Sequence, residues 1–449
     1  MNRLIILIVL FSVSLNGFSQ ETNTYRLSLE EAIGFALDSN YTAINARRDV
    51  AAAIKQKWET TATGLPQIDA AVSYQNNLKQ QVTPLPAEII GGDPGTFVPV
   101  TFSPKQNASV SATLNQLLFD GSYIVGLQAA RVFLDYSENA FEKTRLEVRK
   151  GVILAYGSVL LAQENVSIFE KNRQTLEKNL NETQKVFENG LAEEEDVEQL
   201  QITLLDIEIL LSNAKRMNLI AKETLNMALG IPIQSDVQLS DSLDQLVEQQ
   251  INLSFLDNNF SLDRNIDFRI AQNLIQQRNL ELKLEKSRTL PSISAFVNYN
   301  TQAFNNEFTF FDQEQAWYQS SLLGINMNIP IISSGGRGAR TQRAKIALEQ
   351  ANTQFEQTME QLKLDLNNAR SNYQFAIEKY GNSKKNLALA ERVENKNQIK
   401  FIEGISSSFE LRQAQLQLYN SQQIYLQAML DVISAKASLE TILNTPNSK

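Results

Sequence analysis

The chain has 449 residues, no Cys, no His and a net charge of −9. Those absences exclude disulfides, thiolate or imidazole metal sites and any catalysis that uses histidine as the base, leaving only carboxylate chemistry formally open. An acidic chain without a basic stripe cannot displace counterions from phosphates, so no nucleic-acid partner is expected, and no cofactor is expected either.

Met1-Asn2-Arg3 precedes an apolar run from Leu4 to Leu15 and then Asn16-Gly17-Phe18-Ser19-Gln20. One positive residue, a short apolar core and a small-residue end predict a secretory signal over residues 1–20, too short to remain as a spanning helix. No Cys follows the cleavage region, so a lipoprotein anchor is not expected. Beyond the signal no continuous apolar run approaches the roughly 18 residues of a membrane helix, so any crossing of a membrane must use strands.

The remaining sequence reads as two copies of one pattern. A shift of 214 residues carries Phe187 onto Phe401, Gly190 onto Gly404, Gly121 onto Gly335 and Pro232 onto Pro446, whereas a shift of 225 carries Asn40 onto Asn265 and Leu65-Pro66 onto Leu290-Pro291. The difference, 225 minus 214, places 11 extra residues in the first copy between Tyr74 and Gly121. The resulting division is a first copy over 21–232, an irregular connecting belt over 233–253, a second copy over 254–446 and a tail over 447–449.

Each copy opens with a helix, the first from a capping-box-like Ser28-Leu29-Glu30-Glu31. The period then changes to two. Ile68, Ala70, Val72 and Tyr74 alternate with polar residues, as do Val110, Ala112 and Leu114, then Ile293, Ala295, Val297 and Tyr299, and Leu323, Ile325, Met327 and Ile329. Four strands are expected, near 65–76, 108–119, 291–300 and 317–330, of a length that crosses an outer-membrane hydrocarbon layer at a tilt. Their second face is small and polar, which suits a watery lumen. The proline- and glycine-rich segment from Pro84 to Pro104 and the aromatic one from Phe304 to Tyr318 read as loops, the aromatics suiting an interfacial girdle. The alternative for this part is a soluble two-hairpin sheet with one packed face.

After the strands, Asp120-Gly121-Ser122 and Ser333-Ser334-Gly335-Gly336 lead into very long helical patterns; the second lacks the Gly-Lys-Ser/Thr ending of a P-loop and reads as a hinge. Some 65 residues of helix would span about 100 Å. Gly190-Leu191 and Gly404-Ile405 stop these helices, and Asp196-Val197 and Glu410-Leu411 begin the returning ones. The returning helices show a narrow 4-3 seam: Leu411, Ala414, Leu418, Ser421, Tyr425 and onward, with Val197, Leu200, Leu204, Ile207 and Leu211 at the same steps in the first copy.

Four strands cannot enclose a lumen, because closed membrane barrels start at about eight and an open edge in lipid leaves backbone groups unpaired. Several chains must share one barrel. The duplicated order, the Leu-Pro pairs and the tip motifs resemble the outer-membrane efflux protein family, the TolC-like channels. The fold class expected is therefore a mixed α and β membrane protein, with a long α-helical coiled-coil barrel and a transmembrane β-barrel to which each protomer gives four strands. The resemblance implies a homotrimer with a 12-stranded barrel in the outer membrane of a Gram-negative bacterium and a periplasmic helical tunnel. A periplasmic adaptor (membrane fusion) protein and an inner-membrane pump of RND or ABC type would dock at the tips Gly190, Leu191, Asp196, Val197, Gly404 and Ile405, and small molecules or proteins would be expelled. Related channels place carboxylates at the sixth and ninth positions after the tip Gly and some carry Arg at the second; here those positions hold Glu410, Gln413 and Ser406. Glu410 is expected to line the periplasmic gate, with one acidic ring kept and another neutralised. Two other classes compete: a periplasmic coiled-coil structural or adaptor protein without a barrel, and a carboxylate enzyme built on Glu193-Glu194-Glu195-Asp196. Adjacent residues in that run point different ways on a helix, so it reads as a solvated tip rather than a site.

Overall fold

The computed structural model describes residues 25–253 and 261–444; the expected signal, the tail and Pro446 lie outside them. The chain divides into two compact units, one built from Met1–Asp49, Glu138–Ile270 and Glu356–Lys449, the other from Val50–Ser137 and Ala271–Phe355.

The elements follow the chain as β1 (Tyr25–Leu27), α1 (Leu29–Ser39), α2 (Tyr41–Ala62), β2 (Gln67–Asn76), β3 (Thr83–Pro86), β4 (Phe97–Val100) and β5 (Gln106–Phe119). Next come the 68-residue α3 (Gly121–Glu188), α4 (Glu194–Leu229), β6 (Val237–Leu239), α5 (Leu243–Gln250) and α6 (Ile266–Ser287). The last are β7 (Ser292–Asn305), β8 (Tyr318–Asn328), the 67-residue α7 (Gly336–Ile402) and α8 (Ser408–Leu443).

The sheet unit is an antiparallel four-stranded sheet in the order β2-β5-β7-β8. Its register aligns Ile68, Leu114, Val297 and Leu323 across all four strands, so the alternation within each strand adds up to one continuous apolar face. That face is bare: Ile68, Val72, Leu323 and Ile325 are 73%, 79%, 72% and 69% exposed. On the other face Ser73 bonds Ser109 at 2.7 Å and Asn298 donates to Thr113 at 2.7 Å. Both outer strands, β2 and β8, have a free edge within the chain. The turn into α3 is closed by Asp120, whose carboxylate accepts the Ser122 and Tyr123 amides at 2.6 and 3.2 Å. The glycine cluster before α7 is held by Arg337, which donates to the carbonyls of Pro330 and Ile331 at 2.9 and 3.0 Å, a strand-to-helix hinge.

Both inter-strand segments differ from plain loops. Residues 83–100 pair as a small ribbon, Thr83 opposite Val100 and Pro86 opposite Phe97, with a 3-10 turn at Ala87–Ile90. The prolines disguise it, since proline is tolerated on free-edged strands but reads as a break. In the second segment Phe308 packs edge-on against Tyr74, Phe310 and Phe311, and Phe310 is buried, so part of the aromatic set forms a knot of its own instead of a displayed girdle. β7 runs to Asn305, past the expected end, because β5 offers it partners as far as Gln106.

In the helical unit the belt segment is regular, not irregular. β6 pairs in parallel with β1, and α5 presents Leu243, Leu246 and Val247 to a core shared with Ala32, Ala36, Val152, Tyr156, Val159, Tyr373, Met429 and Ile433. One 18-residue window of α3 reaches a mean hydropathy of 1.4, and half of it is buried within the protein. Val152, Tyr156 and Val159 of α3 belong to this core. Asp241 ties the belt in place, accepting the Leu29 amide and the Tyr156 hydroxyl, each at 2.8 Å. Both returning helices bury the seam read from sequence, but α8 buries a second stripe, Met429, Ile433 and Ala437, against this core.

The same joint recurs at the ends of both returning helices. The Asn40 side chain donates to Ala228 O and caps α2 through Thr42 N, while the Asn265 side chain donates to Ile442 O and caps α6 through Asp267 N. α4 then ends at Gly230 and α8 at Asn444, both left-handed, at φ 77° and 51°. At Gly230 a Cβ would meet Ser39 O at 2.2 Å. Gly230→Ala is expected to cost about 2 kcal/mol from backbone conformation alone, more with the clash, read as a lower melting temperature of the detergent-solubilised protein.

Candidate functional site

The two long helices α3 and α7 run out into turns at Gly190 and Gly404, with φ of 75° and 72°. In the first turn the Leu191 amide donates to Val186 O at 3.0 Å and the Gly190 amide to Phe187 O at 2.7 Å. The second repeats this, Ile405 to Lys400 O at 2.8 Å and Gly404 to Phe401 O at 3.0 Å. This paired pattern requires a left-handed residue at the glycine position, which is why glycine stands at both. The stop does not bury the residue after it: Leu191 is 80% and Ile405 71% exposed.

The returning helices are capped by different chemistry. Glu193 and Asp196 form a reciprocal capping box, with the Glu193 amide donating to Asp196 Oδ2 at 3.4 Å. In the second tip Ser407 is the cap, accepting the Glu410 amide at 3.3 Å, and the Ser406 hydroxyl donates to the Glu410 carboxylate. Asp196 and Glu410 are thus equivalent third residues of their helices, where a carboxylate also gains from the helix dipole. Glu193, Glu194 and Glu195 are exposed. Among the described residues no grouping of acidic side chains is arranged to hold a metal ion.

The two tips share a cleft of about 780 Å³. Gly190, Leu191 and Asp196 of the first tip and Gly404 and Ser406 of the second line it, together with Asn179 and Phe401 of the long helices. Of the residues singled out in the sequence, Val197, Ile405, Glu410 and Gln413 are outside its lining. Val197 is half-buried at the start of the seam, and Glu410 and Gln413 are exposed.

Sequence reading passed over the polar residues that join the hairpins. Asn179 and Thr183 are both 6% exposed, and the Asn179 carbonyl accepts from Gln398 at 3.3 Å. The Arg412 guanidinium donates to Gln199 at 2.7 Å. Further along, Gln415 is buried between Leu411 and Leu418 beside Glu394; burial pushes the Glu394 carboxyl above its ordinary range, and the Gln415 side chain opposes that rise.

A bare aliphatic sheet with two free edges and a pair of exposed helical tips are the marks of a membrane channel subunit. The sequence profile of the family described as "Outer membrane efflux protein" matches residues 33–231 and 259–445. The chain belongs to that family, one of TolC-like outer-membrane channels, and is an outer-membrane protein. The fold is similar to that of the outer membrane protein VceC of Vibrio cholerae, with 15% identity, 92% of this chain and 95% of that one covered, and a TM-score of 0.70. The CmeC outer membrane channel of Campylobacter jejuni shares 15% identity over 92% of this chain and 85% of its own, at a TM-score of 0.72. The open state of the MtrE outer membrane channel of Neisseria gonorrhoeae shares 18% over 92% and 88%, at 0.70. No curated protein matches the sequence.

Proposed function

We propose that the protein is the outer-membrane exit duct of a tripartite efflux or type I secretion system. Three copies each contribute four strands to one closed barrel, and the duplicated helical hairpins form the periplasmic passage. The observation that carries this reading is the four-stranded sheet with its exposed aliphatic face and unpaired β2 and β8 edges. In lipid each unpaired backbone group costs several kcal/mol, so the edges must meet those of other copies. Channels of this family are trimeric and work with adaptors and inner-membrane pumps. The cleft between the tips, with Leu191 exposed at its lip, supports adaptor docking there.

Glu410 is proposed to face the axis of the closed tip, where three like charges in a narrow pore attract cations and resist compression. Gln413 adds no charge, and Ser406 orients the Glu410 carboxylate rather than pairing it with a cation. Purified protein in planar bilayers is expected to conduct ions and to be blocked by a trivalent cation from the periplasmic side. Glu410→Gln is expected to weaken that block about tenfold. Absence of any conductance contradicts the duct; unchanged block contradicts only the role of Glu410.

A further inference from the structure

On the reading just given, the polar face of the sheet lines the lumen of the barrel. In the four long strands that face presents serine, threonine, asparagine and glutamine with a few apolar side chains, and a single charged residue, Asp69. Asp69 is the third residue of β2, in register with Thr113, Asn298 and Leu322. It is exposed, and among the described residues no hydrogen bond or ion pair engages its carboxylate. The polar side chains beside it bond each other instead, Asn298 donating to Thr113 at 2.7 Å.

β2 is also an edge strand. Its neighbour after closure is the other free edge, β8, whose sequence Tyr-Gln-Ser-Ser-Leu-Leu-Gly-Ile-Asn-Met-Asn holds no cationic residue. On that edge β8 therefore supplies nothing to neutralise Asp69.

We infer that Asp69 is the charge-selectivity residue of the barrel, three copies forming a carboxylate ring that favours cationic over anionic solutes in an otherwise neutral wall. Twelve strands about 4.8 Å apart and tilted near 40° give a backbone radius of about 12 Å, which puts each carboxylate roughly 8 Å from the axis. Three charges at that distance enrich a monovalent cation on the order of fivefold in 10 mM salt, where the screening length is about 30 Å, and almost not at all in 1 M, where it is about 3 Å. The ring is a weak, salt-sensitive filter, not a binding site.

The test is the reversal potential of single channels under a tenfold KCl gradient, measured in an E410Q background so that the proposed tip carboxylate is silent. The inference expects cation preference at low salt that Asp69→Glu retains, Asp69→Asn removes and Asp69→Lys inverts to anion preference, with all four channels converging in molar salt. Equal reversal potentials for the parent and Asp69→Asn overturn it and assign any preference to the acidic outer loops, Glu307, Asp312 and Glu314. A protein that forms no channel overturns the duct reading and this inference together.

Discussion

Leu191→Asp is expected to abolish pump-dependent resistance in the producing cell while the protein still assembles in its outer membrane. Leu191 is 80% exposed at the lip of the cleft between the tips, so its removal leaves no cavity, and the turn is held by backbone bonds that the substitution keeps. What changes is the surface. An aspartate there replaces the apolar contact with a fifth negative charge within residues 191–196, and an approaching partner would have to desolvate it. Loss of one buried apolar anchor from an interface costs about 2–4 kcal/mol, roughly 30- to 1000-fold in affinity. Susceptibility to the exported compounds, read together with the amount of assembled protein, checks this; failure to assemble would assign Leu191 to the helix stop instead.

The second large effect is on stability. Glu440→Leu is expected to destabilise the protein by about 3–5 kcal/mol, because it removes the carboxylate that faces two cations, one buried and one half-buried. Glu440 lies 3.4 Å from Arg149 of α3 and 3.6 Å from Lys436 one turn earlier on α8, with side chains only 5%, 18% and 6% exposed. Burial lowers the Lys436 pKa and Glu440 opposes that shift, so the pair is balanced in the folded state and one-sided without its acid. Combining Glu440→Leu with Lys436→Met removes charge from both sides and is expected to restore most of the loss. Thermal unfolding of the detergent-solubilised variants measures both; a single variant as stable as the parent would contradict the account of this cluster.

The features legible in the sequence are those that repeat locally. Alternation revealed the four long strands because each has one aliphatic and one polar face, and Gly190 and Gly404 revealed the tips because a left-handed stop selects glycine. Pairings set by distant chain segments were not legible. The three-residue β1 finds Val237–Leu239 some 212 positions away, and nothing in Tyr25–Leu27 announces a strand. The ribbon of β3 and β4 was hidden by Pro84, Pro86 and Pro99. The second buried stripe of α8 was hidden too, since the seam is the same in both returning helices and Met429, Ile433 and Ala437 meet the belt core only in the fold. At the tips the sequence identified the turns but not the cleft, because Asn179, Thr183 and Gln398 come from the long helices and meet only in the fold.

The most direct measurement is the mass of the protein extracted from the membrane fraction. An incomplete sheet that finishes its barrel with its neighbours' strands predicts that the protein requires detergent and runs as a particle of three chains that heat dissociates. A single chain that stays monodisperse in buffer without detergent would contradict it.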